Sequence, residues 1–194
     1  MRLLLSALFA LLVLAAVPLA GCGDGNCRAK GDPGVPVGGA FELVDTAGKT
    51  VTDESLKGKY RIVYFGFTYC PDICPTELQH ISDALDKLGD GAARFTPVFV
   101  TVDPERDTPE VLGDYLKNFH ASFIGLTGTP EQIERAAKAY RIYYAKAERP
   151  DAPDAYTMDH SSYVYVMDCE GRYIEHFNFG VSADEMAARL GKLL

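Results

Sequence analysis

The chain opens on a nearly unbroken apolar run, Leu3 to Val17, preceded by one cation, Arg2, and followed by Leu19-Ala20-Gly21-Cys22. A basic start, an apolar stretch of this length and small residues at its end predict an export signal, because a spanning helix needs about 20 apolar residues. From Arg28 to Gly39 the sequence RAKGDPGVPVGG carries no pattern able to build a core and predicts a flexible linker. Apolar periodicity resumes near Phe41. Phe41–Val44 and Lys49–Thr52 flank Asp45-Thr46-Ala47-Gly48, which predicts a hairpin. Arg61 to Phe67 (RIVYFGF) is continuously apolar and aromatic apart from its first residue, the mark of a strand covered on both faces.

Beyond Pro75 the period changes to that of a helix, with Leu78, Ile81, Leu85 and Leu88 on one face and Gly89 as its stop. Phe95 to Val102 is a second buried strand. Two helices with Pro at their first positions follow. Thr108-Pro109 leads into Val111, Leu112, Tyr115, Leu116 and Phe119, and Thr129-Pro130-Glu131-Gln132 is a capping box before Ile133, Ala136, Ala137 and Tyr140. Tyr163–Met167 and Tyr173–Phe179 predict a hairpin across Asp168-Cys169-Glu170-Gly171, and Ser182 caps a last helix through Met186, Leu190 and Leu194. Strand–helix–strand implies a right-handed parallel crossover, and the closing hairpin adds antiparallel strands. The order predicts an α/β, thioredoxin-like mixed sheet with helices on both faces and an extra N-terminal β-hairpin. The chain then divides into a leader over 1–22, a flexible linker over 23–39 and one folded domain over 40–194.

Composition changes this picture little. The 194 residues are 47% hydrophobic and 24% charged, ordinary for a globular domain. A formal net charge of −8 argues against a nucleic-acid partner, which needs clustered cations. The cysteines change it more. Leu19-Ala20-Gly21-Cys22 resembles the bacterial lipoprotein lipobox, in which the Cys carries the lipid. That implies a domain tethered to a bacterial membrane through Cys22 and facing the periplasm or extracytoplasmic space, with a monomer as the simplest expectation. In that compartment disulfides persist. Cys27 and Cys169 are left over, and sequence alone does not settle whether they bridge each other.

The chemistry concentrates in Gly66-Phe-Thr-Tyr-Cys70-Pro-Asp-Ile-Cys74-Pro-Thr-Glu-Leu78. Both cysteines fall between the end of a buried strand and the start of a helix, where free N–H groups and the helix dipole favour thiolate. Thiolate is both a metal ligand and the nucleophile of disulfide exchange. A structural disulfide across so short a loop would stabilise little, since the effect grows with the logarithm of loop length. Two thiolates seldom complete a metal site. Among the four His, His80 is expected on the exposed helix face, His120 after a helix and His176 in the closing hairpin. His160, in the loop Met158-Asp159-His160-Ser161-Ser162 before an apolar strand, is the candidate third ligand. A loop His is more often plain surface; Asp159 beside it would orient its ring, and Met158 serves packing better than ligation.

CPDIC within GFTYCPDICPTEL, VDPERDTPE at 102–110, and DHS at 159–161 followed by YVYVMD together resemble the signature segments of the SCO/SenC family of copper chaperones, over roughly residues 38–194. The resemblance implies copper, as Cu(I) or Cu(II), bound by Cys70, Cys74 and His160. It also implies an upstream copper donor, and delivery of copper to the CuA centre of cytochrome c oxidase subunit II or reduction of that subunit's cysteines. Two thiolates and an imidazole suit a soft ion content with three ligands, whereas zinc in a structural site recruits a fourth. Cys169 stands where relatives usually have Pro. Asp103, at the end of the adjacent strand, is a candidate for lying near the metal or presenting the partner surface, with turn chemistry as the bland alternative. The competing readings are an extracytoplasmic thiol–disulfide oxidoreductase using Cys70 and Cys74 as a redox pair without metal, and, more distantly, a peroxidase.

Overall fold

The computed structural model describes Cys27, residues 30–149 and residues 152–194; the expected leader and Cys22 lie outside the described residues. The expected hairpin forms β1 (Glu42–Asp45) and β2 (Thr50–Thr52). Next come β3 (Tyr60–Gly66), α1 (Ile73–Leu88), β4 (Phe95–Thr101), α2 (Pro109–Leu116), β5 (Ile124–Thr127) and α3 (Pro130–Ala139). A ribbon of β6 (Tyr144–Arg149) and β7 (Ala152–His160) precedes β8 (Val164–Met167), β9 (Tyr173–Phe177) and α4 (Ala183–Gly191).

Seven strands make one mixed sheet in the order β2-β1-β5-β4-β3-β8-β9. β3, β4 and β5 run parallel, and β8 pairs antiparallel with β3 from Tyr64↔Val164 to Arg61↔Met167. All seven residues of β3 are buried, as its apolar run requires. Its alternate side chains feed two layers. Tyr60 donates to the Leu193 carbonyl past the end of α4, and Tyr64 stacks toward Phe99 on the face carrying α1. Phe65 meets Tyr140, at the end of α3, on the other face. α1 buries Cys74, Leu78, Ile81, Ala84 and Leu85 between the sheet and α4, each large aliphatic contributing about 1.5–3 kcal/mol. The helix caps form where the sequence puts them: Thr108 accepts from Val111 N–H, Thr129 closes a capping box with Gln132, and Ser182 accepts from Glu185 N–H.

This topology gives the domain two poles. At one, β3 and β4 end, β8 begins and β9 ends, so the Cys loop, the segment after β7 and the β9–α4 loop come together. At the other lies the β8–β9 turn. There Cys169 is disulfide-bonded to Cys27 with Cα atoms 5.8 Å apart, which resolves the pairing left open by the sequence.

Two expectations need correction. The segment 31–39, expected to be free linker, lies along the domain. Gly31 N–H donates to Asp168 Oδ2 at 2.8 Å, Asp32 N–H to Tyr173 O, and Gly38 N–H to Ala139 O. Its polar backbone finds acceptors on the sheet end and on α3, and these hold it without any apolar periodicity. The second correction is the β6–β7 ribbon: His160, expected within the loop Met158–Ser162, is the last residue of strand β7.

Candidate metal centre

Cys70 and Cys74 are free thiols that straddle the start of α1. The tight entry depends on Gly66: a Cβ there would stand 2.8 Å from the Phe99 ring and 3.0 Å from Cys74 Sγ. Only glycine lets the sulfur pack against the strand end. Cys74 is buried, and its backbone N–H donates to Cys70 Sγ at 3.3 Å. Cys70 is half-buried at the mouth.

His160 closes the third side. It sits at the end of β7, paired with Tyr144, and its Nε2 lies 3.4 Å from Cys74 Sγ. Its Nδ1 lies 3.0 Å from the Ser161 carbonyl, which can only accept, so Nδ1 carries a proton and Nε2 is the ring nitrogen that faces the sulfur. Phe67 and Tyr64 meet the imidazole edge-on, with centroids at 5.8 and 6.2 Å. Asp159, expected to orient this ring, is exposed on β7, and the backbone carbonyl of Ser161 holds the ring instead. Met158 is buried and packs into the core. Cys70, Met158 and His160 share the lining of a cavity of about 530 Å³ that opens beside the loop.

The two sulfurs are electrostatically unequal. The Cys74 S–H donating to it pulls the Cys70 thiol down to about 4, with His160 and nearby backbone N–H groups adding to the effect against partial desolvation. Cys74 is pushed up, by the Cys70 thiolate first and by burial second. Cys70 is thus a nucleophile at neutral pH and Cys74 a protected thiol. In the reduced, metal-free protein, iodoacetamide is expected to modify Cys70 at a nearly constant rate from pH 8 to 5. An ordinary thiol slows by about 10³-fold over that span, as its thiolate fraction falls. Mass mapping of the adducts checks both the site and the pH profile.

The loop is held from beneath by a residue the sequence reading passed over. Asp107 is fully buried and accepts from Thr68 N–H (3.0 Å), Thr68 Oγ1 (2.6 Å) and Thr101 Oγ1 (2.6 Å). Thr127 Oγ1 donates to its carbonyl at 2.9 Å. It therefore joins the strand ends of β3, β4 and β5 just below Cys70. A buried Asp within VDPERDTPE was the available signal. Asp103 is also buried, but no contact joins it to the sulfurs among the described residues. It accepts from Arg106 Nε and, at 2.8 Å, from Tyr156 Oη. Arg106 donates to Tyr156 O at 3.0 Å and lies over the Tyr156 and Tyr69 rings at 3.8 and 4.7 Å. Asp103 thus ties the β4–α2 loop to the ribbon that carries His160. On α1, His80 is only partly exposed, with Nδ1 3.8 Å from the buried Glu77. His120 and His176 stand apart, bonded to Ser122 and Tyr173.

Among the described residues no three His, Cys, Asp or Glu side chains stand close enough together, as placed, to hold a metal ion. What exists is Cys74 in contact with both partners, an imidazole nitrogen aimed at its sulfur, and a second sulfur at the mouth.

This arrangement defines a thioredoxin-like domain carrying a dithiol–imidazole centre. The chain belongs to the SCO1/SenC family, whose model matches residues 29–194. It is 44% identical over 152 residues to an SCO2-like protein of Rickettsia prowazekii, covering 78% of this chain and 74% of that one. The copper-bound structure of Bradyrhizobium japonicum ScoI is 44% identical with a TM-score of 0.75, over 81% of this chain and 99% of that one. BsSco, described as a member of the Sco family of cytochrome c oxidase assembly proteins with a disulfide switch, is 26% identical with a TM-score of 0.64, over 86% and 97%.

Proposed function

We propose that this protein is a copper carrier that receives Cu(I) or Cu(II) from an upstream donor, holds it on Cys70, Cys74 and His160, and passes it to the CuA site of cytochrome c oxidase subunit II. The observation that carries the reading is the His160–Cys74 contact, made by a ring whose other nitrogen is already committed to Ser161. Simple dithiol exchange has no need of an imidazole oriented in that way. Two sulfurs and one nitrogen suit a soft ion, and the open mouth beside Cys70 leaves room for a partner's thiolate to enter. Copper in the structure of a 44% identical relative supports the same assignment.

The leader over 1–22, with lipid on Cys22, would hold the domain over 40–194 at the outer face of a bacterial membrane, with the disulfide Cys27–Cys169 suited to an oxidising compartment. A second reading is favoured by one observation: the half-buried, low-pKa Cys70 at the mouth beside the buried, protonated Cys74 is the arrangement of an attacking and a resolving thiol. On that reading the dithiol reduces the disulfide of subunit II. The two Cys sulfurs are oxidised to a disulfide, and the substrate gains two electrons and two protons.

One pair of assays separates these. Copper-loaded protein is mixed with the reduced extracytoplasmic domain of subunit II, and metal-free dithiol protein with its disulfide form. Stoichiometric copper transfer, abolished by His160→Ala, supports the carrier. Thiol release on subunit II that survives His160→Ala, with no copper transfer, would put the reductase first.

A further inference from the structure

The large apolar side chains that the described residues leave in solvent are Tyr69, Ile73, Tyr143, Tyr163 and Phe179. Isolated exposed apolar residues are ordinary on any surface, and scattered ones would carry no meaning. These five are not scattered. Tyr69 and Ile73 lie on either side of Cys70, and Tyr143 adjoins the ribbon pair Tyr144↔His160. Tyr163 stands just before β8, and Phe179 just after β9, whose last residue Phe177 pairs with Val164. Every one of them is at the pole of the sheet where the metal centre opens.

The rings of Tyr69 and Tyr163 are held by ring contacts, and the backbone at Tyr143 and beside Phe179 is held by hydrogen bonds. Tyr143, 64% exposed, is fixed by Ser161 N–H donating to its carbonyl at 2.9 Å and by its own N–H donating to Ser161 Oγ at 3.2 Å. Tyr69, 60% exposed, has the Arg106 guanidinium over its ring. Tyr163 meets His176 edge-on at 5.2 Å. Phe179 is anchored through its neighbour, whose N–H donates to the buried Glu77 carboxylate at 3.0 Å. Aromatic groups ordered in advance give up little conformational entropy when covered, which is why they dominate binding hot spots.

We propose that these side chains form a collar on which a folded partner protein docks, one that brings its own thiolate or imidazole donors to the cavity and has a neutral or basic rim. The proposal deepens the carrier reading and rests on it. The charge requirement comes from Asp72 and Asp159, which are exposed and line the cavity, while no Lys or Arg does. A second copy of this chain would set these carboxylates against themselves across a two-fold axis, on top of a net charge of −8 per chain. An anionic lipid surface is disfavoured for the same reason. The first described residue, Cys27, is fastened at the opposite pole from the collar.

The test uses the full-length protein, wild type beside Tyr69→Ser/Phe179→Ser, each loaded with one Cu(I) and mixed with the reduced extracytoplasmic domain of oxidase subunit II. The double variant should hold Cu(I) within about twofold of wild type and keep its circular dichroism, yet transfer copper about tenfold or more slowly. Tyr163→Ser, remote from the Cys loop, should slow transfer in the same direction. Transfer at the wild-type rate in both variants overturns the collar. So does a wild-type dimer, seen by sedimentation, that the double variant abolishes, or wild-type binding to phosphatidylglycerol vesicles lost in the same way. A wild type that binds copper but transfers none removes this partner and the proposal with it. A wild type that binds no copper instead condemns the carrier reading itself, and the two failures are thereby told apart.

Discussion

With His160 replaced by alanine, the reduced protein is expected to hold Cu(I) roughly 10²–10³-fold more weakly, while its fold and both thiols remain. The magnitude follows from shares. A structural zinc site of four donors binds with about 10–16 kcal/mol; taken as the scale for a thiolate–imidazole site, one donor accounts for about 3–4 kcal/mol, and each 1.4 kcal/mol is tenfold. The structure gives two reasons why this histidine delivers its full share. Its Nδ1–H is committed to the Ser161 carbonyl, so no tautomer change is needed on binding. Its ring is boxed by Phe67 and Tyr64, so little rotational freedom is lost. His160→Gln, with an amide in place of the imidazole, should fall on the weak side as well. Competition against a chromophoric Cu(I) chelator reads the effect. Affinity unchanged by either substitution would mean that copper is held by sulfur alone.

The second large effect concerns the floor of the Cys loop. Asp107→Ala is expected to cost about 3–5 kcal/mol and lower the melting temperature by about 10 °C, because it strands the Thr68 N–H and two hydroxyls in a buried place. Asp107→Asn should be far milder, within about 1 kcal/mol, since an amide oxygen still accepts from Thr68 N–H and the hydroxyls can turn to suit. Acid behaviour separates the two roles of the carboxylate. Burial raises its pKa, ahead of the hydrogen bonds from Thr101 and Thr68 that lower it. The folded state therefore holds this proton more tightly than the unfolded chain does. Its contribution is fully present below the unfolded value and is lost as pH rises through the folded one. Wild type should thus lose stability relative to Asp107→Asn as pH climbs through the acid range, and denaturant melts at several pH values check the sign. A wild-type advantage over Asp107→Asn that grows with rising pH would contradict it.

Much of this architecture was legible because its signals are local. The all-buried pattern of 61–67 reads as a two-face strand, and Thr108, Thr129 and Ser182 announce their helices through side-chain caps that need no tertiary partner. The placing of Cys70 and Cys74 at a strand end follows from the same logic. What escaped reading depends on long-range contacts. The β6–β7 ribbon lies off the main sheet, so its residues lack the alternation that a core-facing strand imposes, and the run Glu148 to Tyr156 reads as a polar stretch. Its support comes from Arg106, Asp103 and Tyr156, which meet only in the fold. Asp107 is similar: turn chemistry in Asp-Thr-Pro explains it locally, and only the structure shows it bonded to Thr68 and Thr101. Asp159 went the other way, a plausible orienting group by adjacency that strand geometry turns outward. The linker residues 31–39 have no core pattern because they are held mainly through their backbone, to Asp168, Tyr173, Ala139 and Arg141, with Val37 alone packing on the core.

These differences bear on function. His160 rides on a ribbon braced by the partly buried Asp103–Arg106 pair rather than on a free loop, so the imidazole is delivered to Cys74 in a set position. The measurement closest to the central claim is X-ray absorption at the copper edge of the reduced protein loaded with one equivalent of Cu(I). The expected spectrum has two sulfur neighbours and one nitrogen neighbour, with the nitrogen lost in His160→Ala. A spectrum with sulfur neighbours alone, unchanged by that substitution, would contradict the assignment of this site.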